Sequence, residues 1–192
     1  MNKDVEIAYC PRDQFMPLHE CKKRWMVVVA HRRSGKTVAS LNQLIRGALL
    51  CANKNPRFAY IAPYRIQAKA VAWQYLKDFT AGIPDRKVSE SELYIQLPKG
   101  GRITLYGADN SESLRGLYLD GVVVDEPADM DGDFFKTFYG LLCLTVLVGV
   151  CGLVRQKDAI ASLRCSTMRC MTTTTSPCSY QPVSLSFFRS LN

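Results

Sequence analysis

Between a valine-rich apolar run and an amphipathic segment lies Ala30-His31-Arg32-Arg33-Ser34-Gly35-Lys36-Thr37. No other stretch of the chain restricts the fold so tightly. The run before it, Trp25-Met26-Val27-Val28-Val29-Ala30, is continuous and apolar, as a strand buried on both faces must be. After it, Val38, Leu41, Leu44, Ile45 and Leu49 recur at helical spacing, which predicts a helix from about Lys36 to Cys51. A strand, a tight turn and a helix gather backbone N–H groups at a helix N-terminus, where they can hold phosphate oxygens. The pattern is that of a phosphate loop, G-x-x-x-x-G-K-[ST], with Ala30 in the first glycine position. Ser34 and Gly35 would lend backbone to the phosphates, Lys36 would neutralise them, and the Thr37 hydroxyl would ligate Mg²⁺. The competing reading is an ordinary strand-turn-helix capped by Ser34.

Further along, buried strands and helices alternate. Phe58 to Ala62 reads as a strand stopped by Pro63, and residues 65 to 80 as a helix with Ile66, Ala70, Trp73, Leu76 and Phe79 on one side. Leu93 to Leu97 and Arg102 to Tyr106 flank Pro98-Lys99-Gly100-Gly101, a hairpin signal. Leu117 to Val124 leads into a third buried strand. This order predicts an α/β fold with a central, mostly parallel sheet flanked by helices.

The third strand ends in Asp125-Glu126-Pro127, about ninety residues beyond the loop. At the carboxyl edge of a parallel sheet, Asp125 would support Mg²⁺ and Glu126 would polarise an attacking water. The alternative is two solvated acids at a strand end. Both motifs together predict an Mg²⁺-dependent ATP hydrolase of the P-loop class with an extra strand between the two motif strands.

The net charge is +8 over 192 residues, which suits a nucleic-acid partner without requiring one. None of the eight cysteines stands in a zinc spacing, and the charged N-terminus does not read as a signal peptide. Free thiols in a reducing cytoplasm are expected.

Several motifs then converge on one family. Tyr9, Pro11-Arg12, Phe15 and Leu18-His19 precede Arg24-Trp25 and the loop. Ile61-Ala62-Pro63 precedes a helix with Ala68 and Trp73, and Ser113-Leu114-Arg115-Gly116 precedes Val123-Val124-Asp125-Glu126. Over roughly residues 8 to 136 the chain resembles the N-terminal packaging ATPase domain of phage terminase large subunits. The resemblance implies that Lys36 and Thr37 bind nucleotide phosphate and Mg²⁺, that Asp125 supports the metal, and that Glu126 is the catalytic base. It also gives Arg32, with Arg33 beside it, as the arginine of the loop. Arg115 becomes a candidate finger reaching a neighbouring subunit's ATP; its other reading is a surface ion pair. Gln14 and Phe15 fall where related ATPases contact adenine. The partners implied are double-stranded DNA, a portal protein, a small terminase subunit and further copies in a ring. The implied setting is the bacterial host cytoplasm, transiently at the procapsid portal. A helicase or another P-loop translocase is the nearest rival, and an inert nucleotide-binding fragment is the second.

After Lys136 the family pattern stops. Phe138 to Val154 is a 17-residue run without a charge, short for a membrane span and not expected to be one. Read one base out of register, with suitable wobble bases, Gly140 through Ile160 becomes PALSDRLGWCVWFGTPKGRN, similar to the coupling segment of terminases. Residues 1–136 are therefore expected to form the ATPase region and 137–192 to be a tail in a non-native frame, with the nuclease domain absent.

Overall fold

The computed structural model describes residues 6–21, 26–132, 134, 150–151 and 183–184. The Arg24-Trp25 pair and nearly all of the 137–192 tail, with its apolar run and its proposed change of frame, lie outside the described residues.

The chain opens with β1 (Glu6–Ile7), and a short 3-10 turn leads into α1 (Met16–Glu20). Next come β2 (Val27–Val28), α2 (Lys36–Leu50) and β3 (Arg57–Ala62). A helix in three parts follows: α3 (Arg65–Ala68), a π turn (Lys69–Trp73) and α4 (Gln74–Phe79). Then come β4 (Lys87–Ser89), β5 (Tyr94–Gln96), β6 (Arg102–Gly107) and β7 (Gly121–Val124). Two short pieces, β8 (Val150–Cys151) and β9 (Val183–Ser184), complete the described elements.

Five strands form the main sheet in the order β4-β5-β6-β3-β7. Its centre is parallel, with β3 between β6 and β7. The expected hairpin joins β5 to β6, pairing Ile95 with Ile103, and the unexpected β4 extends it antiparallel. β2 pairs with β8 in parallel, and β8 also contacts β7. β1 pairs with β9 antiparallel. The architecture is thus mixed α/β around a mostly parallel sheet, as the alternating pattern predicts.

α2 is buried on more than one side. Leu41, Leu44, Ile45 and Ala48 join Phe58, Tyr60 and Leu105 in the main core, while Ala39 packs with Phe15 and Leu18. Every residue from Ala39 to Ile45 is consequently buried, polar ones included. Gly47 permits the close approach to β3, because a Cβ there would stand 2.8 Å from Phe58 Cε1. Across the second contact, His19 shares a hydrogen bond of 2.8 Å with Gln43 Oε1 and one of 2.9 Å with the Tyr9 hydroxyl. Burial holds the His19 imidazole below its ordinary pKa. The neutral ring can accept from Tyr9 while donating to Gln43, tying the N-terminal segment to α2.

The second helix corrects the sequence reading in one respect. Its buried residues are Ala68, Ala72, Trp73 and Leu76, whereas Ile66 is 85% exposed and Ala70 is also exposed. A π turn winds more residues per turn than an α-helix, so it shifts the phase of the apolar face across Lys69–Trp73. Among the described residues no helix is long and apolar enough to cross a membrane.

Candidate functional site at the carboxyl edge of the sheet

The turn joining β2 to α2 bends through two left-handed residues, Arg33 (φ 61) and Gly35 (φ 100). A left-handed conformation is cheap for glycine and uncommon for arginine. Gly35 is the N-cap of α2 and no side chain caps the helix. The first-turn amides therefore lack intrahelical acceptors and lie at the positive end of the helix dipole. Lys36, only 7% exposed, curls back so that Nζ donates to Ala30 O at 3.0 Å and His31 O at 3.1 Å. Ser34 Oγ is buried without a hydrogen-bond partner.

From the end of β7, Asp125 meets this turn. Its amide donates to Ile61 O at 2.8 Å, carrying the parallel ladder one residue past Val124. The Thr37 hydroxyl donates to Asp125 Oδ2 at 3.4 Å, and the Tyr60 hydroxyl donates to the same oxygen. The two sequence motifs are thus in contact. Tyr60 is a participant that the sequence reading missed. A tyrosine within a fully buried strand was the available signal, since a buried phenol needs a partner.

Glu126 stands next, with φ 53 and ψ 50, and Pro127 follows it. A non-glycine residue in the left-handed region costs backbone energy, on the order of 1–3 kcal/mol. Its carboxyl pKa is raised, first by burial and next by Asp125, with Asp129 adding to this; Lys36 and Arg32 pull it down. Lys36, Arg32, Asp125 and Glu126 accordingly share one electrostatic neighbourhood. Arg32 and Arg33 are both exposed.

Arg115 lies on the surface, and Phe15 in the core beside the turn. Arg115 is exposed and pairs with Glu112 at 3.1 Å, and it is not among the charges that shift Glu126. Phe15 is 3% exposed and packs with Leu18 and Ala39, with its Cε2 3.8 Å from where a Gly35 Cβ would be. Gln14 does reach the turn: its Nε2 donates to Ser34 O at 3.1 Å. Arg12, to which the sequence motif gave no role at the site, donates to the same carbonyl from Nη1 at 2.7 Å. Two hydroxyl- and carboxylate-bearing residues, Thr37 and Asp125, offer hard oxygens side by side. Among the described residues no cluster of three His, Cys, Asp or Glu forms a closed metal cage. The Thr37 hydroxyl beside the Asp125 carboxylate is a donor pair that fits Mg²⁺, which keeps waters and takes its remaining ligands from substrate phosphates.

No family model matches the sequence, and no curated protein is similar to it at the level of sequence. Solved structures do match. The large terminase ATPase domain of Thermus phage P74-26 superposes with a TM-score of 0.62 at 18% identity, covering 77% of this chain and 67% of that one. The large terminase of thermophilic bacteriophage D6E in complex with ATP-gamma-S gives 0.57 at 14%, covering 72% of this chain and 37% of that one. The N-terminal domain of the DNA packaging ATPase from bacteriophage phi29 gives 0.54 at 15%, covering 74% and 78%. The chain has the fold of phage large terminase ATPase domains, and it spans little more than a third of the D6E protein.

Proposed function

We propose that this chain is an ATPase of the P-loop class and the motor portion of a viral DNA-packaging enzyme. The observation that carries the reading is the contact between Thr37 and Asp125, which joins the loop to the acidic strand end. The fold shared with terminase ATPase domains, one of them in complex with ATP-gamma-S, supports the choice of nucleotide.

In this mechanism the amides of Gly35 to Thr37 take the β- and γ-phosphates. Lys36 leaves the Ala30 and His31 carbonyls to meet them, since a lysine bonded only to neutral carbonyls gains by pairing with an anion. Thr37 and Asp125 would hold Mg²⁺, which supplies Lewis-acid neutralisation of phosphate charge. Glu126 orients and deprotonates water; its raised pKa makes it a better proton acceptor once ionised. Arg32 lies close enough to lower the Glu126 pKa and would stabilise transition-state charge, with Arg33 screening from outside. Arg115, on the surface, would act on a neighbouring subunit's nucleotide in a ring of copies.

Double-stranded DNA is the proposed cargo, with a portal protein and a small terminase subunit as partners in the host cytoplasm. A basic row at the other end of the sheet favours a polyanion. Lys87, Gln96, Arg102 and Arg57 are register partners across β4, β5, β6 and β3, so three cations share one face. Arg57 and Arg102 are direct neighbours whose like charges repel, Arg102 also stacking on the Tyr94 ring at 3.5 Å, and a phosphate backbone would relieve them. The tail from about residue 137 is proposed to be out of frame, which the nucleotide sequence across codons 130 to 165 decides.

An ATPase assay on the chain beside Lys36→Ala and Glu126→Gln tests the enzyme reading. Loss of phosphate release in both variants is expected. Equal rates in all three remove the claim of hydrolysis, and nucleotide binding without turnover identifies an inert binding fragment.

A further inference from the structure

The Ser34 carbonyl is held by two side chains from the N-terminal segment, and this has a consequence for the amide behind it. Arg12 Nη1 donates at 2.7 Å and Gln14 Nε2 at 3.1 Å, both to Ser34 O. No cis peptide is present among the described residues. In a trans peptide, the carbonyl of one residue and the N–H of the next lie in one plane and point in opposite directions. Holding Ser34 O toward Arg12 and Gln14 therefore turns the Gly35 N–H away from them.

Gly35 N–H makes no backbone hydrogen bond among the described residues, and it stands directly before the open first-turn amides of α2. Gly35 itself offers little resistance to rotation, because glycine at φ 100 can adopt negative φ about as readily as positive. The Ser34 side chain gives no help, for its Oγ has no partner. Only the two donors on the carbonyl fix the orientation of this peptide among the described hydrogen bonds. The Arg12 guanidinium also lies beside the turn, with Cζ 3.8 Å from where a Gly35 Cβ would be. Both donors sit on the segment that Phe15 and Leu18 anchor in the core against Ala39, so the clamp is mounted on packed structure.

We propose that Arg12 and Gln14 are positioning residues, which clamp the Ser34 carbonyl and so aim the Gly35 amide at a nucleotide phosphate. The proposal rests on the ATPase reading above and gives Gln14 a different task from contact with adenine. The two tasks separate by the base. A clamp serves the phosphates and is indifferent to which purine carries them. A base contact distinguishes ATP from GTP.

The experiment is equilibrium titration of the full chain with ATP and with GTP, in wild type, Lys36→Ala, Arg12→Ala, Arg12→Lys, Gln14→Ala and the Arg12→Ala/Gln14→Ala pair. Thermal melts accompany each variant. Each alanine change is expected to weaken both nucleotides about tenfold, the usual consequence of losing a charge-assisted or well-placed hydrogen bond. The ATP:GTP ratio should stay at its wild-type value, and Arg12→Lys should recover part of the loss. A changed ratio in Gln14→Ala, or unchanged affinity in the double variant, overturns the clamp while leaving the ATPase reading intact. If wild type and Lys36→Ala bind nucleotide equally, the ATPase reading itself fails and the clamp goes with it. A loss of affinity matched by a collapsed melt in Arg12→Ala, with no recovery in Arg12→Lys, also counts against it.

Discussion

Two buried aspartates stand at opposite ends of β7, and they are used in opposite ways. Asp120 precedes the strand and is 8% exposed; Asp125 follows it and is 7% exposed. Asp120 commits each oxygen to its own donor, Oδ1 to Asn53 Nδ2 at 2.6 Å and Oδ2 to the Arg57 amide at 2.7 Å. Its own amide returns a bond to Arg57 O, closing the ends of β3 and β7 together. Asp125 instead takes both described side-chain donors, Thr37 and Tyr60, on Oδ2. A carboxylate saturated on both oxygens has a structural task. One whose donors crowd onto a single oxygen keeps the other turned to whatever enters the site.

Paired substitutions are the strongest way to break that comparison. Asp125→Asn preserves shape and an oxygen for Thr37 and Tyr60, so folding should survive. It removes the charge, and hydrolysis should fall by roughly a hundredfold or more, as when one electrostatic contact to a transition state is lost. Asp120→Ala should do the reverse. It leaves the Asn53 and Arg57 donors without their acceptor and should cost about 3 kcal/mol in a denaturant melt. Activity per folded molecule should be retained. If Asp120→Ala silences the folded enzyme, or Asp125→Asn mainly unfolds it, the division of labour is wrong.

Tyr60→Phe sharpens the same contrast with a smaller effect. It removes one of the two donors on Asp125 Oδ2 and should cost about 1 kcal/mol of stability. The surviving Thr37 bond is long at 3.4 Å, so the carboxylate is held less firmly. The Mg²⁺ concentration needed for half-maximal nucleotide binding should rise several-fold, which a titration at fixed nucleotide reads directly. An unchanged Mg²⁺ requirement would reduce Tyr60 to packing.

The difference between the two aspartates also marks how far the sequence could be read. Asp125 was legible because it ends a run of valines and is followed by Glu126 at the right distance from Gly35-Lys36-Thr37. Asp120 was not, because its partners are a loop asparagine and a backbone amide whose proximity arises only once β3 and β7 are paired. The hairpin around Pro98 to Gly101 was readable from local turn chemistry, while β4 was missed: Lys87-Val88-Ser89 is an edge strand with little apolar content. The π turn was invisible for a similar reason. Residues 65 to 80 satisfy an α-helical period, and only packing of Ala72 and Trp73 selects the rotated face. Arg12 was legible only as part of the motif around Pro11, because its contact is with a carbonyl twenty-two residues away.

The N-terminal anchor gives a pH test independent of catalysis. Burial lowers the His19 pKa in the folded chain, so between that value and the ordinary 6.5 the unfolded chain binds more protons. Stability is therefore complete above about pH 6.5 and declines as pH falls through the folded pKa. A His19→Gln variant, keeping a donor toward Gln43, should lose that pH-dependent part. Melts at pH 7.5 and 5.5 measure it, and a wild-type difference no larger than the variant's would deny His19 the role.

The smallest expected effect on stability belongs to Arg115, and its smallness is informative. Its pair with Glu112 is exposed on both sides, with side-chain exposures of 62% and 72%, and such pairs are screened by solvent. Arg115→Ala should leave the melt within experimental scatter, and it should leave nucleotide affinity of the isolated chain unchanged. With both measurements unchanged, the use of Arg115 would lie across an interface. Mixing Arg115→Ala with Glu126→Gln subunits separates the cases, since each lacks what the other keeps. Rescue of hydrolysis in the mixture, at concentrations where neither variant alone is active, is the outcome expected of a residue acting in trans. Additive inactivity would leave Arg115 as the surface ion pair that its geometry already describes.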